Sequence, residues 1–315
     1  MVDPRVSLIV EWDNARYREI ERAQRMLRRV RGQITEQGEP VEVLVLYNDL
    51  EVSAAVVKEA VHEISCDLPP GVDIQTISAP GSRYYQLKNE GARRSRGSLL
   101  VFVDSDVLPE VGWLRALLAS FDDPKVQIAI ANAYVDTDTL YAKIFALCWY
   151  FPLRRPDGPL TPTTSSFVNS FAVRRSTFMK HPFPEDREIY IGQCLNHIQD
   201  LQANGISIFL NPQARVAHPP PTFWRSAIIN GHDAVIRAAR DGDRLSNCFR
   251  ASYWRWRATL GPACQRILTH YREVDLPRPA LPIALLTATA YYSILCLAEL
   301  LTRANRGLVR KLYAP

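Results

Sequence analysis

Hydrophobic residues follow two alternating patterns over the first hundred positions of the chain. Short apolar runs rich in β-branched residues predict buried strands at residues 6–10, 41–47, 72–77 and 99–103. Between them, apolar residues at helical spacing predict helices at residues 16–31, 52–64 and 85–96, the first ending at Gly32. Repeated strand–helix units of this length predict an α/β domain with a doubly wound, mostly parallel sheet and helices on both faces.

The pattern becomes mixed after residue 109. Further helices are predicted at residues 113–121 and 189–204, and further strands at residues 126–131, 167–173 and 206–210. A loop rich in proline and threonine lies between them, at residues 152–166. The sequence shows no internal repeat. We assign residues 1–224 to one domain.

Polar side chains follow the predicted strands of the parallel sheet. Ligands of such sheets bind beyond the carboxyl-terminal ends of the strands, so these positions are the first candidates for chemistry. They comprise Glu11, Asp13, Asn48, residues 78–83, Asp104, Ser105 and Asp106.

Asp104, Ser105 and Asp106 form the acidic triplet at the end of the fourth strand. Two carboxylates one residue apart can converge on a divalent ion, and Mg²⁺ or Mn²⁺ prefers oxygen ligands that it shares with substrate phosphates. Such an ion would neutralise a diphosphate leaving group. An Asp-x-Asp triplet also occurs in many surface turns, so its place after a buried strand is what favours a metal site.

The segment around this triplet carries a more specific pattern: a helical Asn-x-Gly-Ala turn, a small residue, an apolar strand, Asp-x-Asp, a proline and a Trp-Leu pair. The residues that fit it are Asn89, Gly91, Ala92, Gly97, Asp104, Asp106, Pro109, Trp113 and Leu114. Here the sequence resembles the family 2 glycosyltransferases with a GT-A fold, and the resemblance continues through residues 169–176 and 211–218. It implies transfer of a sugar from a nucleotide-activated donor, usually with inversion at the anomeric carbon.

The resemblance also implies roles for individual residues. Donor binding would fall to Glu11, Asp13, Asn48, Lys88, Asn89, Asp104 and Ser105, and a Mn²⁺ or Mg²⁺ ion would be held by Asp104, Asp106 and His218. Plainer interpretations stay open for three of them: Asn48 could form an ordinary turn, Lys88 could lie on a solvated helix face, and His218 could be structural.

The expected general base is absent from its usual place. Inverting members of the family carry a Gly-Glu-Asp-like motif about a dozen residues before the glycine that closes the next helix; here Gly192, Gln193 and Cys194 stand there. A base must reach the acceptor hydroxyl and remain ionised. The nearest carboxylates are Glu185 and Asp186, of which we favour Asp186. Either the base has moved, the mechanism is retaining, or catalysis has been lost.

The C-terminal third carries the basic charge of the chain. Residues 225–315 contain 14 Lys and Arg against six Asp and Glu, a net charge of +8. Because the whole chain carries +5, residues 1–224 carry −3. Residues 279–298 contain no formal charge, and as a helix they would span about 30 Å, the hydrocarbon thickness of a bilayer. We therefore predict a basic, aromatic helical region at 225–278 and a hydrophobic membrane-associating helix with a basic tail at 279–315.

Arginines flank the uncharged segment on both sides, which fits an interfacial helix at least as well as one membrane crossing. A buried helical subdomain or a dimer interface is the alternative interpretation. No nucleic-acid-binding motif accompanies the basic residues, so we expect no nucleic-acid partner. The oligomeric state is left open.

The remaining features concern the compartment. The six cysteines form no CxxC pair, and the N-terminus lacks the features of a signal peptide. We therefore expect a cytoplasmic protein, which the hydrophobic C-terminal segment would associate with the inner face of the cell membrane. The family resemblance implies a nucleotide-sugar donor, and the hydrophobic segment suggests a lipid-linked or cell-envelope glycan acceptor. The alternatives are a non-catalytic sugar-nucleotide-binding or scaffold protein on the same fold, and a nucleotidyltransferase of related architecture.

Overall fold

The computed structural model describes residues 4–17, 20–65, 68–164, 168–185, 188–240, 248–307 and 309. The chain divides into two compact units. The first comprises Met1–Tyr134, Arg154–Glu185 and Gln193–His218; the second comprises Val135–Leu153, Asp186–Gly192 and Pro219–Pro315. The last division lies close to the boundary predicted at residue 224, but the second unit also includes two segments from within the predicted first domain.

The strands are β1 (Val6–Glu11), β2 (Val41–Tyr47), β3 (Val72–Ser78), β4 (Leu99–Asp104), β5 (Leu108–Pro109), β6 (Ile128–Val135), β7 (Thr161–Thr163), β8 (Ser170–Arg174) and β9 (Ile208–His218). The helices are α1 (Ile20–Gln37), α2 (Ala54–Ser65), α3 (Tyr84–Arg94), α4 (Trp113–Ala119), α5 (Leu140–Cys148), α6 (Arg175–Lys180), α7 (Gln193–Ala203), α8 (Phe223–Arg240), α9 (Cys248–His270) and α10 (Leu281–Ala304).

The first unit is built on one mixed sheet with strand order β3-β2-β1-β4-β8-β6-β9-β5, and β7 pairs with β9. Strands β3, β2, β1 and β4 are parallel, whereas β8 runs antiparallel to both β4 and β6. The predicted α/β fold is therefore confirmed, with the parallel pairing confined to one half of the sheet. Because β6 and β4 run in the same direction, their carboxyl ends lie at the same edge.

Two glycines set how closely the elements of this half approach one another. A Cβ atom at Gly91 on α3 would lie 2.5 Å from Cγ2 of Ile9, so the helix packs directly on β1. A Cβ atom at Gly97 would lie 2.6 Å from the backbone nitrogen of Ser7. Glycine is required at both positions because the neighbouring atoms leave no room for a side chain.

Helix α1 is longer than predicted, because it continues through Gly32 and ends at Gln37. The side chain of Gln33 is buried, and its Oε1 accepts a hydrogen bond from the backbone nitrogen of Leu114 at 2.8 Å. The chain turns instead at Gly38, whose φ of +68° favours glycine. The glycine at 32 was therefore the wrong stop signal.

The second unit consists of helices, with α10 packed against α8 and α9. Helices α8 and α10 meet at Gly231, where an added Cβ would lie 2.5 Å from the carbonyl oxygen of Leu295. Arg266 on α9 donates hydrogen bonds to the carbonyls of Ala146 and Phe151 at 2.9 and 2.8 Å, and so binds the C-terminal end of α5. This packing explains why Val135–Leu153 belongs to the second unit.

Candidate active site

The candidate site of the first unit lies at the carboxyl edge of the parallel strands. Glu11 and Asp104 are the last residues of β1 and β4, and they stand opposite each other in the parallel register. The backbone nitrogen of Asp104 donates to the carbonyl of Asn169 at 2.9 Å, which places Asn169 next in the row. Side chains of directly opposed residues share one face of a sheet, so these three polar groups project together.

Asp104 is fully buried and is bound on both carboxylate oxygens. Its Oδ1 accepts from Nζ of Lys88 at 2.6 Å, while its Oδ2 accepts from the hydroxyl of Tyr84 at 2.7 Å and from Nδ2 of Asn169 at 2.8 Å. Nδ2 of Asn14 approaches the same oxygen at 3.4 Å. Burial raises the pKa of Asp104, and the ammonium of Lys88 opposes that rise.

Lys88 was predicted to bind the donor phosphates, or to lie on a solvated helix face. In the structure its side chain is fully buried, and its ammonium donates to Asp104, to the hydroxyl of Tyr84 at 2.7 Å and to the carbonyl of Val168 at 2.7 Å. An ammonium has three hydrogens, and these three acceptors use all of them. Lys88 is therefore an internal counter-ion of Asp104 in this structure.

Glu11 organises the loop after β1. Its Oε2 accepts from the backbone nitrogen of Asp13 at 2.8 Å, and its Oε1 accepts from Nδ2 of Asn14 at 3.0 Å and from the backbone nitrogen of Ser105 at 3.4 Å. Burial, and next the charge of Asp104, raises the pKa of Glu11 well above its usual range. Glu11 therefore links the two loops that follow β1 and β4.

Asp106 and His218 come together through the short β5–β9 ladder. Leu108 pairs with Ala217 in antiparallel register, so the chain brings the residues just before Leu108 beside the end of β9. Arg22 strengthens this junction, because it donates to the carbonyl of Asp106 at 2.6 Å and to the carbonyl of Ala217 at 3.1 Å. Both Asp106 and His218 are buried.

A divalent ion fits this arrangement only as a site completed by the substrate. Within the part of the chain that the structure describes, no group of three or more His, Cys, Asp or Glu side chains is arranged to hold a metal. The oxygens of Asp104 are bound by protein donors, and Asp106 and His218 are the carboxylate and imidazole that the β5–β9 ladder brings to the same loop. Mg²⁺ or Mn²⁺ commonly takes one or two protein ligands and completes its shell with phosphate oxygens and water.

Asn48 and Asn89, two of the predicted donor-binding residues, bind backbone groups in this structure. Oδ1 of Asn48 accepts from the backbone nitrogens of Leu50 and Gly81 at 3.2 and 2.9 Å, and so connects the loops after β2 and β3. Asn89 holds Phe183 by two hydrogen bonds, Nδ2 to its carbonyl at 2.9 Å and Oδ1 from its nitrogen at 3.0 Å. Both amides shape the loops around the site.

Comparison with known protein families identifies the family to which the chain belongs. Residues 16–181 match the family model described as glycosyl transferase family 2, which is more than half of the chain. The chain belongs to glycosyl transferase family 2. The prediction of a glycosyltransferase is confirmed at the level of the family, and the matched segment includes the acidic triplet.

Curated relatives of this family 2 chain include the pre-mycofactocin glycosyltransferases of two Mycobacterium tuberculosis strains. Each is 29% identical over 183 residues, which cover 55% of this chain and 39% of the relative. The match thus extends over well under half of the length of these relatives.

Solved structures resemble the chain more completely. A Pyrobaculum calidifontis mannosyltransferase in complex with GDP-Man and Mn²⁺ has a TM-score of 0.59 at 16% identity and covers 98% of this chain and 89% of its own. GalNAc-T7 with UDP, GalNAc and Mn²⁺ has a TM-score of 0.52 at 15% identity, covering 69% of this chain and 44% of its own. TarS 1-349 of S. aureus has the same TM-score and identity, with coverages of 95% and 91%. At these identities the likeness shows the GT-A fold.

The structure separates the two places where a family 2 base could stand. Glu185 lies beside the middle of α3, where its Oε1 is approached by Nδ2 of Asn89 at 3.5 Å and pairs with Arg93 at 3.3 Å. Asp186, the base that the sequence favoured, lies outside the described residues.

The position of the missing motif lies at the N-terminal end of α3. The backbone nitrogen of Cys194, in the first turn of α7, donates to the hydroxyl of Tyr85 at 3.4 Å. Tyr85 packs edge-on against Tyr84, with ring centroids 4.6 Å apart. The Gln193-Cys194 turn therefore lies beside the group that holds Asp104.

Sequence reasoning missed the residues that support the acidic row. Tyr84, Asn169 and Asn14 bind Asp104, and Arg22 joins the two loops at Asp106. Tyr84 and Asn169 stood within segments that already carried the family resemblance, and that was the only available signal. Arg22 lies in a helix rich in arginine, where nothing in the pattern distinguishes it from its neighbours.

Proposed function

We propose that this chain is a metal-dependent glycosyltransferase that moves a sugar from a nucleoside-diphosphate sugar to an acceptor hydroxyl. The observation that carries the proposal is the junction of Asp106 and His218 at the carboxyl edge of the parallel strands. This junction follows Asp104, which belongs to the buried row of Glu11, Asp104 and Asn169. A carboxylate, an imidazole and a strand edge suited to nucleotides form a coherent set of groups for a diphosphate ester.

Asp106 and His218 would hold a Mn²⁺ or Mg²⁺ ion together with the diphosphate oxygens of the donor. The ion would supply neutralisation of the charge that develops on the leaving diphosphate. The chain's own residues provide a fixed frame: Arg22 holds the Asp106 loop against β9, and Lys88 holds Asp104 in place. Preorganised groups of this kind need no rearrangement during the reaction.

The nucleoside part of the donor would lie over the ends of β1, β2 and β3. Asp13 and Asn48 stand at this edge, and Oγ of Ser78 is buried there with no hydrogen-bond partner among the described residues. Oγ of Ser105 is in the same state beside Asp104. Buried hydroxyls are normally paired, so a ligand with many polar atoms accounts for both.

A non-catalytic donor-binding protein is the second candidate, and Gln193 is the observation that favours it. The turn that begins α7 lies beside Tyr84 and Tyr85, yet it presents Gln193 and Cys194 and no carboxylate. Under the main proposal, the base comes from another group or the reaction is retaining. Under the second candidate, the donor binds and is not consumed.

We further propose that the second unit associates with the inner face of the cell membrane, with a lipid-linked or cell-envelope glycan as acceptor. Within the described residues, Arg278–Ala304 is the one helical stretch apolar enough to cross a bilayer; an 18-residue segment of it has a mean hydropathy of 1.7 and is 22% buried. A core helix of a soluble protein would be mostly buried. Exposed Ile283, Leu286 and Leu297 on α10, with exposed Tyr253 and Trp254 on α9, support a lipid-facing surface.

The test is a transfer assay with a panel of sugar nucleotides, Mn²⁺ and a membrane extract as acceptor source. The main proposal predicts transfer with release of a nucleoside diphosphate, and loss of transfer on chelation. Donor binding without turnover would support the non-catalytic candidate. Release of pyrophosphate would identify a nucleotidyltransferase and contradict the proposal.

A further inference from the structure

Asn132 stands at the active-site edge of the sheet, on a strand for which the proposed function has so far given no role. It lies in the C-terminal half of β6, and β6 runs in the same direction as β4. Ile130 pairs with Phe171, and continuing this antiparallel register by two residues brings Asn132 opposite Asn169. Asn132 therefore extends the row of Glu11, Asp104 and Asn169 by one strand.

The side-chain amide of Asn132 is half satisfied. Its Oδ1 accepts a hydrogen bond from the backbone nitrogen of Arg155 at 2.9 Å, which fixes the orientation of the amide plane. Its Nδ2 is buried and has no hydrogen-bond partner among the described residues, and the whole residue is 1% exposed. Buried polar groups in folded proteins are nearly always paired, so this NH₂ group calls for an acceptor that is not part of the protein.

Strand order indicates which part of a donor would supply that acceptor. In the order β1-β4-β8-β6-β9, Asn132 lies between Asp104 on β4 and His218 at the end of β9. The proposed nucleoside position lies on the other side of Asp104, over β1 to β3. Asp106 follows the end of β4 by two residues, so the diphosphate would be held where the chain leaves β4. A sugar attached to it on the side away from the nucleoside would lie over β8 and β6, where hydroxyl oxygens can accept from an amide.

We propose that Nδ2 of Asn132 donates a hydrogen bond to a hydroxyl oxygen of the sugar that is transferred. Asn132 would thus determine specificity for the sugar, while the nucleotide and the metal bind elsewhere in the site. The inference rests on the proposed function, since it assigns the sugar subsite of the same donor. A site built to pair a particular hydroxyl discriminates strongly against a ligand that lacks it, because the amide is then left unpaired.

The experiment compares the affinity for a sugar nucleotide with the affinity for its parent nucleoside diphosphate. UDP, UDP-glucose, GDP and GDP-mannose are titrated by calorimetry with Mn²⁺ into the full chain and its Asn132→Ala variant, without an acceptor. We expect the variant to keep the nucleoside diphosphate affinity within about twofold and to lose about tenfold or more for the preferred sugar nucleotide, which corresponds to about 1.4 kcal/mol.

A matched control is available in Asn211. Its side chain is also buried, but its Nδ2 donates to the carbonyl of Ala116 at 2.7 Å and to Oγ of Ser120 at 2.9 Å. Asn211→Ala should leave the ratio of the two affinities unchanged. If the alanine at 132 prevents folding, Asn132→Asp keeps an acceptor for the nitrogen of Arg155, removes the donor and should lose the same sugar-dependent part of the affinity.

The outcomes separate this inference from the proposed function. Equal losses for the nucleoside diphosphate and the sugar nucleotide in the variant, or no loss for either, would overturn the role of Asn132 and leave donor binding intact. Absence of binding by the wild-type chain would remove the proposed function itself.

Discussion

The two units differ in where buried polar atoms lack partners and in where large apolar side chains are concentrated on the surface. In the first unit, polar atoms of Ser78, Ser105 and Asn132 are buried near one strand edge and have no hydrogen-bond partner among the described residues. In the second unit, buried Glu299 is bound by Ser252 at 2.9 Å and approached by Arg255 at 3.5 Å, while large apolar side chains are exposed. The first difference motivates the proposal of a polar ligand, and the second motivates the proposal of a membrane surface.

The largest expected effect concerns the buried ion pair of the first unit. Asp104→Ala leaves the ammonium of Lys88 buried beside no carboxylate partner, and loss of one member of a buried pair costs about 3–5 kcal/mol. Urea unfolding monitored by circular dichroism measures this loss. Asp106→Ala is the matched comparison: it removes a carboxylate from the same loop but leaves Lys88 its carboxylate partner, so it should cost less than Asp104→Ala. Equal losses in the two variants would contradict the separation of their roles.

The next effect concerns the helix packing of the second unit. Gly231→Val places branched carbons against the carbonyl of Leu295, where even a Cβ would lie at 2.5 Å, and overpacking of this kind costs about 1–3 kcal/mol. Gly261 on α9 has no atom within 4 Å of its would-be Cβ. Gly261→Ala should therefore stabilise by up to about 1 kcal/mol. Thermal unfolding of both variants checks the contrast, and a stable Gly231→Val would refute the close α8–α10 contact.

Membrane binding tests the exposed apolar surface directly. A Trp254→Glu, Leu286→Glu double variant should bind anionic vesicles at least tenfold more weakly in co-sedimentation, because both side chains would carry charge into the lipid surface. Val111→Glu is the control, since Val111 is 90% exposed but belongs to the first unit. Undiminished binding of the double variant would remove the membrane proposal. A dimeric wild type and a monomeric double variant would favour the alternative that this surface is an interface between two copies of the chain.

The smallest effect is a dependence of stability on pH in the first unit. His197 is buried, its Nε2 lies 2.7 Å from the carbonyl of His181, and burial lowers its pKa below the ordinary value of 6.5. The unfolded chain then takes up a proton near pH 6.5 that the folded chain does not, so stability falls as the pH decreases below 6.5. His197→Gln should remove this part of the decrease, at most about 1.4 kcal/mol per pH unit.

Thermal unfolding between pH 5 and pH 7.5 measures the effect of His197→Gln. Profiles of equal slope for the wild type and His197→Gln would show that His197 does not contribute.

Much of the first unit could be predicted from the sequence because its pattern is local. Residues 41–47 form a strand with the bounds predicted, and the triplet at 104–106 follows its strand as expected. The pattern could not show that β9 continues to His218, since Asn211 and Pro212 interrupt the apolar run. Its pairing with β5 is a long-range contact that no local pattern contains.

The details of the site were harder to predict for the same reason. Lys88 was expected to bind a phosphate or to lie in solvent. Its buried pairing with Asp104 could not be foreseen, because a lysine in a helix gives no sign of a carboxylate partner 16 residues away. Helix α7 begins at Gln193 rather than at residue 189, where periodicity placed it. The residues just before Gln193 are not helical: the nitrogen of Tyr190 donates to the carboxylate of Asp233 at 3.0 Å, and Gly192 has a φ of +101°, outside the helical region. Neither feature is visible in the apolar periodicity of residues 189–204. Asn132 lies among apolar residues, so only the structure could reveal its half-paired amide.

The most direct test of the central claim is a thermal-shift titration of the full chain with a nucleoside diphosphate, in the presence and absence of Mn²⁺. Binding to the folded state raises the unfolding midpoint. The account predicts a rise in the wild type that needs Mn²⁺, and loss of that rise in Asp106→Ala, measured relative to the unliganded midpoint of the variant itself. An equal rise in both proteins, or a rise in the wild type that does not depend on the metal, would contradict it.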